Sequence, residues 1–266
     1  MARIDVQGLT KTFRTIKGET VAAISDLSFA VGENEFVSIV GPSGCGKSTL
    51  LYIIAGFIPP TKGAVLIDGL PVRNPGPDRG IVFQEYALFP WRTVQANIEY
   101  GLEEKGVARD EVERIVQKYV RLMGLDGFQH KYPKELSGGM KQRVALARTL
   151  AYEPDVLLMD EPFGALDAQT RELQQDELLA IWREKKKTVL FVTHWVEEAV
   201  YLSEKVVVMT TRPGRIKRVV EIGLDRSHPR EEIVLSPEFA QLRNRVWLDV
   251  REEVLRHYES THEAPR

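Results

Sequence analysis

The chain has one cysteine, Cys45, in 266 residues. No internal disulfide can form, and a reducing compartment is the default expectation. Long apolar runs are also missing. None approaches the roughly 20 residues needed to span a bilayer. The opening residues, MARIDVQGLTKTF, lack the apolar core of a secretory signal. Neither sign of charge is in excess. The 36 Lys and Arg against 38 Asp and Glu leave a formal charge of −2, which argues against a general nucleic-acid binder. No internal repeat, low-complexity tract or long heptad run is present. What remains, 43% hydrophobic and 28% charged residues, suits a globular chain able to bury a substantial core.

Patterning supplies the elements. ARIDVQGL, ISDLSFAV and EFVSIVG read as strands, and KSTLLYIIAGF as a buried helix ending before Pro59-Pro60. GAVLIDGLPV reads as a hairpin strand and GIVFQ as a short buried one. From about Thr93 to Leu150 the spacing turns helical, most clearly in VERIVQKYVRLMGL. DVLLMDEP and TVLFVTH are two further buried strands, and VVVMTTRPGRIKRVVEIGL holds two more around a Pro-Gly turn. Ser236-Pro237 predicts a helix start, with Phe239, Leu242, Val246, Val250 and Val254 along one face. Strands alternating with helices predict an α/β fold, a parallel sheet with a helical insertion. Ligands are then expected at the carboxyl ends of the strands.

The first candidate site is GPSGCGKST: Gly41, Pro42, Ser43, Gly44, Cys45, Gly46, Lys47, Ser48 and Thr49. It follows a strand and opens a helix, the context of a phosphate loop. Its glycines let successive backbone N–H groups turn toward phosphate oxygens, and the helix adds its positive end. Lys47 can reach the β- and γ-phosphates, and the Ser48 hydroxyl can ligate Mg²⁺. Cys45 reads as a tolerated small residue, since no nucleophile constellation surrounds it. Two carboxylates end the apolar run Val156-Leu-Leu-Met-Asp160-Glu161. Asp160 suits Mg²⁺, and Glu161 suits the position of an attacking water. Together these predict ATP hydrolysis. A second glycine turn, Leu136-Ser137-Gly138-Gly139, opens another helix and offers a second anion site.

The ordered set GPSGCGKST, Gln84, LSGGMKQR, VLLMDEP, Ala165-Leu166-Asp167 and His194 resembles the nucleotide-binding subunit of ABC transporters over about residues 4–216. The resemblance implies a P-loop NTPase (RecA-like) core, an antiparallel β subdomain and an α-helical signature subdomain at about 93–150. It implies an ATPase domain over 1–224 and a C-terminal extension over 225–266, too short for an accessory regulatory domain. It also implies a head-to-tail homodimer in which Ser137, Gly138 and Gly139 close over the partner's ATP, with Asp167 crossing the interface. Gln84 would contact Mg²⁺ and water, and His194 the γ-phosphate. Phe13 matches the aromatic that stacks on adenine, where tyrosine is usual. Thr193-His194-Trp195 departs from the common Thr-His-Asp but keeps the histidine.

Tyr86, Phe89, Pro90 and Trp91 match a groove that receives a helix from a membrane subunit; packing of the helical insertion is the other use open to these aromatics. FPWRTVQANI and THWVEEAVYLSEKVVVMTTRPGRI look similar to the nitrate/sulfonate/taurine importer branch. That likeness implies two permease subunits, a separate extracytoplasmic solute-binding protein, a small anionic solute and a place on the cytoplasmic face of the membrane. An exporter ATPase would share every catalytic residue. A soluble non-transport ABC protein is disfavoured by the single ATPase set and slight net acidity.

Overall fold

Valine and other apolar residues fill five short strands without the polar alternation of a surface sheet, and those strands form the centre of the molecule. The computed structural model describes residues 3–262 apart from position 165. Strands β3 (Phe36–Val40), β6 (Arg79–Val82), β7 (Val156–Asp160), β8 (Thr188–Val192) and β9 (Lys205–Met209) are mutually parallel. The antiparallel β10 (Ile216–Glu221) completes a six-stranded sheet in the order β10-β9-β3-β8-β7-β6. Both faces are covered, which is why the strands read as continuous apolar runs. The period of two still decides which side each residue packs on. Phe36, Leu157, Met159, Val189, Phe191, Val206 and Val208 join one core cluster. Their alternates Val37, Val156, Leu158, Leu190, Val192, Val207 and Met209 join the other.

The second sheet is antiparallel, ordered β2-β1-β4-β5, from β1 (Ile4–Arg14), β2 (Thr20–Val31), β4 (Lys62–Ile67) and β5 (Leu70–Pro71). It packs over α1 (Lys47–Ala55), which stops short of Pro59 at Gly56. There φ is 84°, and a Cβ would lie 2.4 Å from the Asn74 backbone, so only glycine fits. The insertion comprises α2 (Val94–Glu104), α3 (Arg109–Leu122) and α4 (Gly138–Ala151), capped at α2 by the Thr93 side chain. Helices α5 (Ala168–Lys185) and α6 (Val196–Leu202) flank the main sheet.

Beyond β10 come α7 (Arg230–Leu235) and the long α8 (Pro237–His262), which lies against α6, β9 and β10. Phe239 and Val246 are buried, and Leu242 and Val250 pack beside them. Val254, expected on the same face, is instead 48% exposed. Its predecessor Glu253 takes the inward place at 1% exposure. Glu253 is paired with Lys217 at 3.0 Å and Arg256 at 3.1 Å and accepts the Thr211 N–H at 3.0 Å. Asp249 pairs likewise with Arg218 at 2.7 Å. The lower half of this helix is thus docked by ion pairs, and its apolar stripe turns outward. Phe239→Ala should therefore lower unfolding free energy by about 3–5 kcal/mol in denaturant melts, and Val254→Ala by under ~0.5 kcal/mol.

Candidate active site

Parallel register brings the chemistry together. Val82 of β6 pairs with Met159 of β7, and Asp160 of β7 with Val192 of β8. Gln84, Glu161 and His194 each stand one or two residues beyond those pairs, at the carboxyl edge. Glu161 Oε2 accepts from Gln84 Nε2 at 3.3 Å and lies 3.0 Å from His194 Nδ1. Glu161 holds φ 46°, a left-handed conformation that costs a non-glycine residue ~1–3 kcal/mol. Two backbone bonds hold it there: its N–H donates to Val192 O at 2.9 Å, and its carbonyl accepts from Gly164 at 3.1 Å.

Beside this carboxylate opens a cavity of about 560 Å³. Its walls include Ser43, Gly44, Gly46, Lys47, Ser48 and Thr49 of the glycine-rich loop, together with Gln84, Glu161 and Phe13. The Phe13 ring is 43% exposed, with Lys11 Nζ 5.1 Å from its centroid. Lys47 is buried and donates to the carbonyls of Gly41 at 2.8 Å and Pro42 at 3.0 Å, bracing the loop from within. Ser48 Oγ donates to Asp160 Oδ1 at 3.0 Å. Burial raises the Asp160 carboxyl above its ordinary value, while hydrogen bonds from Ser48 and Tyr52 oppose the rise. A hydroxyl and a buried carboxylate side by side are hard oxygen donors of the kind Mg²⁺ takes, so the residues present fit that ion.

Three placements were not legible in the motifs. Arg212, in the Thr-Thr-Arg-Pro-Gly turn, lines the cavity and donates from Nε to Gly44 O at 2.7 Å. Thr15, Val21 and Ala23 also line it, Val21 standing opposite Phe13 across β1 and β2. Cys45 places its thiol in the core rather than in the cavity, at 1% exposure, among the residues packed under α1.

Ser137, Gly138 and Gly139 lie away from this cavity. Ser137 caps α4, accepting the Met140 N–H at 3.3 Å; Gly138 is exposed and Gly139 half-buried. Asp167 caps α5, accepting from Thr170 N at 3.0 Å, which holds its carboxyl below the ordinary value. Position 165, in the Ala165-Leu166-Asp167 stretch, lies outside the described residues.

The aromatic segment divides. Phe89 lines an apolar groove of about 640 Å³ with Phe83, Ala87, Tyr100 and Tyr152, its ring 4.7 Å from Tyr100. Trp91 is 71% exposed and stacks on Phe89 at 5.7 Å. Tyr86 turns back: its hydroxyl lies 3.3 Å from where a Cβ on Gly138 would stand. Tyr86 and Ala87 adopt φ 60° and 47°, and Arg148 of α4 donates to both their carbonyls. One guanidinium thus ties this loop to the helix of the signature turn.

A glycine-rich loop between a strand and a helix, with acids at the end of a parallel strand one place removed in the same sheet, defines a P-loop nucleoside triphosphatase. Comparison with known proteins narrows the class. Residues 24–164 match the family model described as ABC transporter. An uncharacterized ABC transporter ATP-binding protein of Methanocaldococcus jannaschii is 54% identical over 254 residues, 96% of this chain and 93% of that one. A nitrate import ATP-binding protein of Synechococcus elongatus is 49% identical, covering 88% and 86% of the two chains. A taurine import ATP-binding protein of Pelagibacter ubique is 45% identical, covering 92% and 94%. Among solved structures, a dimeric ATP-binding cassette bound to ADP and Pi has a TM-score of 0.74 at 33% identity, covering 84% of this chain and 100% of that chain. The chain belongs to the ABC transporter family, as an ATP-binding, ATP-hydrolysing subunit.

Burial raises the Cys45 thiol above its ordinary pKa, so the reactive thiolate is scarce as well as shielded. Ellman's reagent at pH 8 should titrate no thiol in the folded chain and one in guanidinium chloride. Prompt labelling of the native protein would contradict that placement.

Proposed function

We propose that the cavity between Phe13 and Glu161 holds ATP, and that the chain powers an ABC importer. The observation that carries the chemistry is the meeting of Gln84 and His194 on one carboxylate oxygen of Glu161. Phe13 supplies the face on which adenine stacks. The backbone of Gly41, Pro42, Ser43, Gly44, Cys45 and Gly46, then Lys47, Ser48 and Thr49, cradle the phosphates. Ser48, Asp160 and Gln84 would hold Mg²⁺, which neutralises charge on the β- and γ-phosphate oxygens when bound. Glu161 takes the proton of a water that adds to the γ-phosphorus as the bond to the bridging oxygen breaks. His194 and Gln84 hold that carboxylate and the water in line, and Lys47 offsets charge on the γ-phosphate once it leaves the loop carbonyls.

Ser137 and Gly138 are exposed and Gly139 half-buried, all outside their own chain's cavity, which suits donors offered to a second copy. We read the working unit as a head-to-tail homodimer with Asp167 crossing between the sites. The dimeric cassette cited above supports that reading, and the nitrate and taurine import relatives support import of a small anion such as nitrate, a sulfonate or taurine. Two permease subunits would dock at the cytoplasmic face of the membrane, in the groove beside Phe89 and Trp91, and a separate extracytoplasmic protein would deliver the solute. Among the described residues no helix is long and apolar enough to cross a membrane, and the import relatives support a peripheral association with it. The tie from Arg148 to the Tyr86–Ala87 carbonyls would pass movement of the signature helix to that groove.

Glu161→Gln should lower ATP turnover by at least ~100-fold while leaving ATP affinity within about two-fold. Turnover near the native rate would remove Glu161 as the base. Phe13→Ala should weaken ATP binding by about ten-fold, the loss of one stacked base, with Phe13→Tyr restoring it. Calorimetric titration reads both. Affinity purification from gently solubilised membranes should recover a multi-span permease with the chain; recovery from the soluble fraction alone would contradict the transport reading.

A further inference from the structure

Burial of a carboxylate is costly unless donors satisfy it, and Glu198 is 4% exposed on α6, four residues after His194. Both its oxygens are occupied. Oε1 accepts from Gln175 Nε2 at 2.8 Å, and Oε2 accepts the Thr193 hydroxyl proton. Thr193 Oγ1 in turn accepts the Trp195 N–H at 3.0 Å. The two residues flanking His194 are therefore tied through one hydroxyl, whose direction Glu198 sets. The Trp195 ring is held from outside, with the Arg171 guanidinium 4.3 Å from its centroid.

The chain of bonds continues outward. Gln175 spends its amide N–H on Glu198, so its Oε1 can only accept, and Arg230 Nη2 donates to it at 2.8 Å. Arg230 is the first residue of α7. Its other arm donates to Asp176 Oδ1 at 2.9 Å, and its guanidinium lies 4.2 Å from the Tyr201 ring centroid. Each donor and acceptor in the series is fixed by its neighbour. Arg230 can only donate, which orients Gln175. Gln175 and Thr193 both donate to Glu198, which requires a carboxylate that accepts at both oxygens.

We propose that Glu198 is a positioning residue for ATP hydrolysis, and that Arg230 of the C-terminal segment acts through Gln175 and Glu198 to hold the His194 loop in place. The inference rests on the reading of His194 as a group that acts on the γ-phosphate and water. A purely structural Arg230 would do no more than fasten α7 to α5. The two roles differ in whether the effect of losing Arg230 passes through His194. Replacing Glu198 by glutamine leaves no satisfied arrangement. One amide face becomes a donor, so either the Thr193 hydroxyl proton or the Gln175 amide loses its acceptor, or Gln175 flips and presents N–H groups to Arg230.

The test is a double-mutant cycle on the full chain, reading kcat and KM for MgATP. Arg230→Ala should lower kcat by about five-fold with KM for ATP within about two-fold, and Glu198→Gln should lower kcat further, as small misplacements of a catalytic group do. In the His194→Ala background, where the remaining groups still sustain residual turnover, the same Arg230→Ala change should move kcat by less than about two-fold. Arg230 lies at the rim of the network, so its variant tests the proposal even where Glu198→Gln does not fold. An unchanged kcat for Arg230→Ala, or an equal fall with and without His194, overturns the relay while leaving the His194 reading intact. A His194→Ala chain with native kcat overturns that reading, and the relay with it.

Discussion

Everything at this site depends on where one carboxylate sits. Glu161 stands just past the end of β7, in a left-handed conformation that glutamate does not favour, and two backbone bonds keep it there. One of those bonds comes from β8, the strand that also delivers His194. The other is closed by the turn at Gly164, ahead of Asp167 and the start of α5. The parallel sheet therefore does more than carry the residues. By fixing β6, β7 and β8 in register, it brings an amide and an imidazole each within hydrogen-bonding distance of one carboxylate.

The same logic explains how separate parts of the molecule reach the site. Arg148 joins the signature helix to the turn after Gln84, and the Tyr86 hydroxyl lies beside Gly138. Thr193 and Glu198 join the His194 loop to α5, and Arg230 carries that connection into the C-terminal segment. Helix α5 is capped by Asp167 and carries Gln175 two turns later, so one element borders both the exposed Asp167 turn and the buried network.

Much of the fold could be read from residues alone, because the central strands are buried on both faces, and Gly41, Glu161 and His194 lie just beyond apolar runs. GPSGCGKST and VLLMDEP announce a nucleotide loop and its acids by local pattern. Legibility failed where a residue's place is set by a partner far away in sequence. Periodicity put Val254 on the inward face of α8, yet Lys217 and the Thr211 N–H draw Glu253 inward and turn Val254 to solvent. Arg212 looked like part of a hairpin turn, and only the fold sets it against Gly44. Nor did any pattern distinguish Tyr86, which faces the signature turn, from Phe89, which faces the groove.

The central claim is that the Ser137–Gly139 turn of one chain completes the nucleotide site of another. Subunit mixing tests it directly. A chain carrying Lys47→Ala keeps a sound signature turn, and a chain carrying Ser137→Arg keeps a sound phosphate loop. Each alone should be almost inactive. A mixture should regain ATP turnover, because the mixed dimer holds one site built from both intact halves. A mixture as inactive as its components would contradict the composite site and return the signature turn to a role within its own chain.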